Sequence, residues 1–503
     1  MISDAVNNSL VSLVTGYKIG SFNQNITSNL PMRIAILGEA NSANQMGLST
    51  EKTEITSANK AGQLYGFGSP IYHVARILFP LNSTGVAGIP VVVYPQVEGE
   101  DYAAKVILTT ITGTATANAT HTILVAGRRG IDGQMYNFTI ATGDTGSDVA
   151  TKISNVVASV LGCPVLGSTD GNEVALTSKW AGATANDLTI QILTNGNDAG
   201  LTYVVSNAQT AAGEPSIQDA LNSFGNEWNT IVINTYNNSD AADALENFNG
   251  VPDAENPTGR FASTTMKPFF ALTGDVSNDP TDFTDARDTQ VTIVICPAPL
   301  SPAFPFEAAA NVASLLALQA QNNPHTDTAL KSYPDMPTPL DGNIGDMAQY
   351  VNRDAFVKKG CSTVDLVNGV YQIKDLVTTY HPEGDLNPLF RYVRNLVIDL
   401  NIFFGYYILE NANLVGKTIV ADSTFVSVGQ CVKPKDWKQI LANYFKDLEA
   451  RALITDASFS IDSLVVGISS TNPDRFEVQF SYKRSSFGRI VSTTAQAGFN
   501  LGN

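Results

Sequence analysis

The block 106–208 breaks the sequence in two, and any fold must accommodate it. It holds 17 Thr and 12 Gly but only 11 charged residues. Two Asp-Gly pairs punctuate it: Asp132-Gly133 separates Thr122–Val125 from Tyr136–Ile140, and Asp170-Gly171 separates Val165–Leu166 from Val174–Leu176. Asp-Gly tolerates the positive φ of a type I′ turn, so both read as hairpins. One amphipathic helix interrupts them, with Val149, Ile153, Val156, Val157 and Val160 on one face. The block is therefore expected to form a β-rich inserted domain.

On either side of the block, strands alternate with helices. Arg33-Ile-Ala-Ile-Leu-Gly38 is a short apolar run ending in Gly, Ile71–Phe79 is helical behind Pro70, and Ile89–Tyr94 is a second buried strand. After residue 208 the rhythm resumes: helix Ile217–Phe224, strand Thr230–Thr235, helix Asp240–Asn249, strand Pro268–Thr273, helix Asp279–Asp288, strand Val291–Cys296, and the Ala/Leu helix Pro305–Gln321. Alternation of this kind implies a mainly parallel sheet with helices on both faces. Residues 31–105 and 209–385 are thus the two halves of one α/β core.

Residues 386–503 form a further α+β unit. Its helix Asp436–Ala452 places Trp437, Ile440, Leu441, Tyr444, Phe445 and Leu448 on one stripe, with Asp436 expected to cap it. A strand follows in strict alternation, with Phe476, Val478, Phe480 and Tyr482 on one face and Glu477, Gln479, Ser481 and Lys483 on the other. Residues 484–503 are a polar tail. Residues 1–30 are rich in Asn and Ser with one apolar patch, Leu10–Val14, and cannot make a core alone. The expected class is α/β multidomain: a doubly wound, mainly parallel core split by a β-rich insertion, plus an α+β C-terminal domain.

Charge and chemistry narrow the function. A formal net charge of −17 over 503 residues disfavours nonspecific binding to nucleic acid or anionic membranes. Residues 390–503 run the other way, with 12 Lys and Arg against 10 Asp and Glu. No apolar run reaches membrane-spanning length, and the N-terminus has no basic n-region or cleavage site. Cys163, Cys296, Cys361 and Cys431 have neither metal nor disulfide-framework spacing, which fits synthesis in a reducing cytoplasm. His73, His121, His325 and His381 lie on different predicted elements and read as surface or turn residues. Asn411–Thr418 ends like a P-loop, but Asn411 replaces the first Gly and a helix precedes it. Gly66-Phe-Gly68 lacks the third Gly of a dinucleotide loop, and Asp279, Asp282, Asp285 and Asp288 lack EF-hand spacing. No catalytic, cofactor-binding or metal-binding residues are therefore expected, and the chain reads as a non-enzyme.

Several segments, taken in order, resemble contractile tail sheath proteins of the Mu-like phage and contractile injection system group. They are Tyr65-Gly-Phe-Gly-Ser-Pro-Ile-Tyr-His-Val-Ala-Arg76, Gly88-Ile-Pro-Val-Val-Val-Tyr94, Gly113-Thr-Ala-Thr-Ala, Gly127-Arg-Arg, and Trp180-Ala-Gly-Ala-Thr-Ala-Asn-Asp187. Further along come Asn352-Arg-Asp354, Lys359-Gly-Cys-Ser-Thr-Val364, Gly369-Val-Tyr-Gln-Ile373, Leu376-Val-Thr-Thr-Tyr380 and a helix beginning near Asn387. Cys361 in the glycine turn departs from the family pattern.

The resemblance implies a virion tail protein assembled in the host cytoplasm. Its copies form hexameric rings stacked in a helix around a tail tube, with baseplate and tail terminator proteins as further partners. It implies no cofactor, no nucleic acid and no membrane insertion. Terminal arms would exchange strands with neighbours, through Leu10, Val11, Leu13 and Val14 at one end and Phe476, Val478, Phe480 and Tyr482 at the other. The C-terminal domain would face the tube, with Lys433, Lys435 and Lys438 as contacts. A non-contractile particle or surface-layer protein and an α/β-fold enzyme are the alternatives.

Overall fold

The computed structural model describes residues 28–253, 255–385 and 387–497. The described residues divide into two units: Leu30–Asn401 with 484–497, and Ile402–Lys483 with Ser28 and Asn29. Each is a mixture of helices and sheets, so the chain is an α/β multidomain protein.

The larger unit opens with β1 (Ile34–Glu39), β2 (Thr53–Ile55), α1 (Ala58–Tyr65), α2 (Pro70–Leu78) and β3 (Val91–Gln96). β1 and β3 are buried at every position, as expected of apolar runs paired on both sides. α2 starts where Pro70 occupies its first turn and the Ser69 hydroxyl accepts a hydrogen bond from the Tyr72 N–H at 3.1 Å. The glycines before it are there for space as well as for turning. Gly66 and Gly68 sit at φ 92° and 90°, and a Cβ on Gly68 would lie 2.2 Å from the carbonyl oxygen of Cys163 in the insertion.

The insertion comprises β4 (Ala104–Thr112), β5 (Ala119–Val125), β6 (Gly130–Ile131), β7 (Gln134–Met135), β8 (Asn137–Ile140), α3 (Gly146–Ser159), β9 (Val165–Asp170), β10 (Glu173–Ala181), β11 (Ile190–Leu193) and β12 (Thr202–Gln209). It forms an antiparallel four-stranded sheet, β12-β4-β10-β9, and a three-stranded sheet, β11-β5-β8. α3 buries Val149, Ile153 and Val157 and begins with a reciprocal cap between Thr145 and Asp148. Asp132 and Gly133 both take positive φ, as a type I′ turn requires. At the second hairpin the loop is shifted by one residue. Asp170 pairs with Glu173, Gly171 and Asn172 form the loop, and of these only Gly171 has positive φ.

The chain then returns to the core through α4 (Gln218–Asn222), β13 (Ile231–Asn234), α5 (Ser239–Asn249), β14 (Phe270–Asp275), α6 (Thr281–Asp285), β15 (Ile293–Pro297) and α7 (Pro305–Asn322). The sheet order is β15-β14-β13-β1-β3-β2; every pairing is parallel except that of the edge strand β2. α2 and α7 pack against each other and against the sheet. After α8 (Tyr350–Lys358), β16 (Thr363–Val367) and β17 (Val370–Asp375) form a hairpin whose Asn368-Gly369 turn has two positive φ angles. The long helix α9 (Val393–Asn413) begins later than the Asn387 start expected, because Tyr392 is held in a β-bridge to Val377. Residues 484–497 lie on this same unit as an extended segment. Arg484 is paired with Asp399, Arg489 with Asp327 and Asp375, and the Arg394 guanidinium donates to the Ser485 carbonyl and hydroxyl.

In the smaller unit the end of α9 is followed by β18 (Thr418–Ile419), β19 (Cys431–Val432), α10 (Pro434–Ala450), α11 (Ala457–Ser463), β20 (Val465–Ile468) and β21 (Phe476–Gln479). α10 buries Trp437, Leu441, Tyr444, Phe445 and Leu448, the expected stripe with Ile440 at its half-buried margin. Asp436 does not cap it. Pro434 occupies the first turn, which moves the start two residues earlier, and the Asp422 carboxylate accepts instead from the Lys435 N–H at 3.0 Å.

Candidate functional site

Parallel sheets of this kind hold ligands in the crevice at the carboxyl ends of their strands, where the order reverses beside the first strand. Here that edge is covered by the insertion. Glu39, the last residue of β1, is fully buried, and its Oε2 accepts from the Thr184 hydroxyl at 2.6 Å. Thr184 in turn accepts from the Trp180 indole N–H at 2.9 Å. Beyond β3, Glu98 accepts from the Ala181 N–H at 2.8 Å, and beyond β15 the Pro302 carbonyl accepts from the Thr189 hydroxyl at 2.6 Å. Burial, opposed in part by the Thr184 hydrogen bond and reinforced by Glu98 and Glu214, pushes the Glu39 carboxyl up to about 8. Its Oε1 has no hydrogen-bond partner among the described residues. Asp187, in the insertion, is pushed up to about 6 by burial and by Asp275 at the end of β14.

A second cluster ties α2 and α7 to the insertion. His73 is completely buried, and its Nδ1 lies 3.1 Å from Glu307 Oε1, off the line of a hydrogen bond. Glu307 Oε2 accepts from Arg128 at 2.8 Å, and Arg128 also holds Asp335 at 2.5 Å. Arg76 reaches Asp335 at 2.7 Å, and the Tyr72 hydroxyl donates to Asp132, which Arg76 also faces at 3.4 Å. Burial alone would raise the Glu307 carboxyl, but Arg128 and His73 outweigh it and bring it down to about 2. Burial lowers the His73 imidazole, and the neighbouring Glu307 carboxylate only partly offsets this.

The histidine expectation is thereby corrected for two of the four. His73 sits inside this cluster. His121 is also buried, with its ring nitrogens 2.6 Å from the Tyr203 hydroxyl and 2.8 Å from the Asn197 carbonyl. Nothing local in the sequence signals either, because the partners lie far along the chain. Among the described residues no group of three or more His, Cys, Asp or Glu side chains is placed to hold a metal ion, and no helix is long and apolar enough to cross a membrane. Cys361 is buried, with its thiol 3.2 Å from the Ser362 carbonyl.

In the smaller unit, Phe476 and Val478 lie on β21, and Phe480 and Tyr482 continue its line. All four are half-buried, while Glu477, Gln479, Ser481 and Lys483 are exposed. Phe480 packs on Tyr406 and Phe445 at ring separations of 5.8 and 5.0 Å. β21 pairs antiparallel with β20, and among the described residues these two strands are the whole sheet. Leu10, Val11, Leu13 and Val14 lie outside the described residues. Lys435 and Lys438 are exposed at the start of α10, whereas the Lys433 ammonium donates to the Thr424 carbonyl at 2.6 Å.

No protein-family model matches the chain. The Mu-like prophage FluMu tail sheath protein of Haemophilus influenzae is 23% identical over 437 residues, 85% of each chain. Among solved structures, a sheath tail protein from Desulfitobacterium hafniense covers 93% of this chain at 10% identity and TM-score 0.47, with all of that chain matched. A chain of the anti-feeding prophage baseplate covers 97% at 9% identity and TM-score 0.46, again with all of that chain matched. A chain of the contracted sheath complex of an extracellular contractile injection system covers 97% at 9% identity and TM-score 0.45, with 98% of that chain matched. The resemblance to tail sheath proteins carried by the ordered segments thus has a curated counterpart along most of the chain.

Proposed function

We propose that this chain is a structural subunit of a contractile tail sheath. In this reading residues 31–105 and 209–385 form a doubly wound core, 106–208 an inserted domain and 386–503 a C-terminal domain. Residues 1–30 and the C-terminal segment are the arms. Copies stack as hexameric rings around a tail tube in a virion, between baseplate and terminator proteins, after assembly in the host cytoplasm. The sheath waits in an extended, kinetically trapped state. It contracts when each subunit repacks with a gain of about a few kcal/mol, the typical gap between two packings of one sequence. Summed along a long sheath, this drives the tube through the envelope without nucleotide hydrolysis.

The observation that carries the reading is the β20–β21 sheet. Among the described residues it has only two strands, packed on α10 through Phe480 and Phe445, and strands added from another copy would extend it along its open edges. Head-to-tail contacts that do not close generate helical arrays. The covered carboxyl edge of the large sheet counts against an enzyme, because the crevice such an enzyme would use is filled by Thr184 and its neighbours. Lys435 and Lys438 are offered to the tube, with Lys433 beside them.

The test is negative-stain electron microscopy of the full chain at rising concentration, with and without tail tubes, beside a truncation lacking residues 1–25. Hollow tubes or coated tail tubes from the full chain, lost in the truncation, are expected. Monodisperse particles under every condition, tail tubes included, would sink the reading.

A further inference from the structure

The four-stranded sheet of the insertion ends in two open edges. β12 pairs only with β4 and β9 only with β10, and among the described residues neither has a strand on its other side, although the Ser154 hydroxyl of α3 donates to the Gly167 carbonyl of β9 at 3.0 Å. Open edges are ordinarily blunted by Lys, Pro or a bulge on the strand. β12 reads Thr-Tyr-Val-Val-Ser-Asn-Ala-Gln, without a charge or a proline and with a register shift only at its end, between Asn207 and Gln209, and β9 reads Val-Leu-Gly-Ser-Thr-Asp, charged only at its last residue. Apolar side chains stand at both: Val204 is 55% exposed, Val205 39% and Leu166 58%.

The two edges complement each other. β9 and β12 run in opposite directions, since β12, β4, β10 and β9 alternate. They also differ in cover. α3 packs chiefly on β9 and reaches across β10 and β4, while β12 lies beyond it, so that from Val204 to Gln209 both faces of β12 are exposed. Gly167 on β9 is pressed against α3, where a Cβ would lie 2.9 Å from the Ser154 Cα. A β9 edge arriving beside β12 would therefore bring its own α3 over the bare face that carries Val205 and Asn207.

We propose that β9 of one copy pairs antiparallel with β12 of the next, making the insertion's sheet continuous from copy to copy. The occupant is a second copy of this chain, and the contact is head-to-tail, so it propagates. It is separate from the sheet of the smaller unit and does not depend on the sheath reading.

Ser168 and Ser206 share the sheet face away from α3, because they pair with Ala175 and Leu108 on it. In full-length protein carrying Cys431→Ser, which removes the half-exposed native thiol, Ser168→Cys is combined with Ser206→Cys or with Val204→Cys to allow for register. Oxidation is followed by non-reducing electrophoresis. A ladder of covalent multimers from one of the double variants, absent from the single variants, is the expected result. No ladder from either pair overturns the inference. Microscopy of the same samples separates the two ideas: tubes without a ladder overturn this contact and leave the sheath reading standing, and a ladder without tubes does the reverse. Neither outcome sinks both.

Discussion

The six-stranded sheet of the larger unit and the two-stranded sheet of the smaller one use the same chemistry to opposite ends. β1, β3, β13, β14 and β15 are buried at every position, and the insertion hydrogen-bonds Glu39 at the end of β1, Glu98 beyond β3 and Pro302 beyond β15. β21 alternates half-buried with exposed positions, and β20 exposes Val465. The first sheet pairs its four inner strands on both sides within the chain. The second is two strands among the described residues, supported by α10 through Phe480 and Phe445.

The largest effect is expected at Glu307. Glu307→Ala leaves Arg128 buried beside only one carboxylate and His73 beside none, at a cost of about 3–5 kcal/mol. Urea unfolding should show it. Hydrogen exchange should quicken in the insertion and α7 while β20–β21 is unchanged, and equal loosening of both would break the contrast between the two sheets. Next comes Phe480→Ala, which strips a half-buried ring from Tyr406 and Phe445 and should cost about 1–2 kcal/mol. Its exchange signature should be the reverse, confined to the smaller unit.

A third experiment uses pH. The Glu39 carboxyl is raised from its ordinary 4.5 to about 8, so its contribution to stability is complete below 4.5 and is lost as pH rises through 8. Glu39→Gln should flatten the urea midpoint against pH over that window. Glu307, held down to about 2, works in the opposite sense: its contribution is present above 4.5 and lost as pH falls toward 2. The smallest effect on stability belongs to Lys435→Glu with Lys438→Glu. Both are exposed, so the change should stay below about 0.5 kcal/mol while binding to tail tubes falls. Undiminished tube binding would remove these lysines from the proposed contact.

Local order was legible in the sequence and long-range polar order was not. β1, α2, β13, α5 and α7 announce themselves through apolar runs, Pro70 and alanine-rich periodicity, because each is decided by neighbours within a few residues. The stripe on α10 was visible for the same reason, although Pro434 overrode Asp436 at its start. β2 and α1 carry little apolar content and escaped notice, as did the Asn368-Gly369 hairpin despite its turn signal. His73 and Glu307 could not be paired by reading: one lies before the insertion and the other after it, and only the closed sheet brings them to 3.1 Å. The open edges of β9 and β12 were hidden likewise, since an edge is a property of strand order.

The splitting of the large sheet has a consequence for how the chain is made. β1 pairs with β13 in the register Ile34↔Ile231, so the central ladder cannot close until the whole insertion has been synthesised. Domains fold as units during synthesis, roughly in the order in which they emerge, and pairings distant in sequence form slowly. The insertion should therefore be folded while β1 and β3 still wait for their neighbour. β20 and β21 leave the ribosome after the whole of this core. A chain built in this order cannot offer its C-terminal strands to another copy before its own core has had time to close.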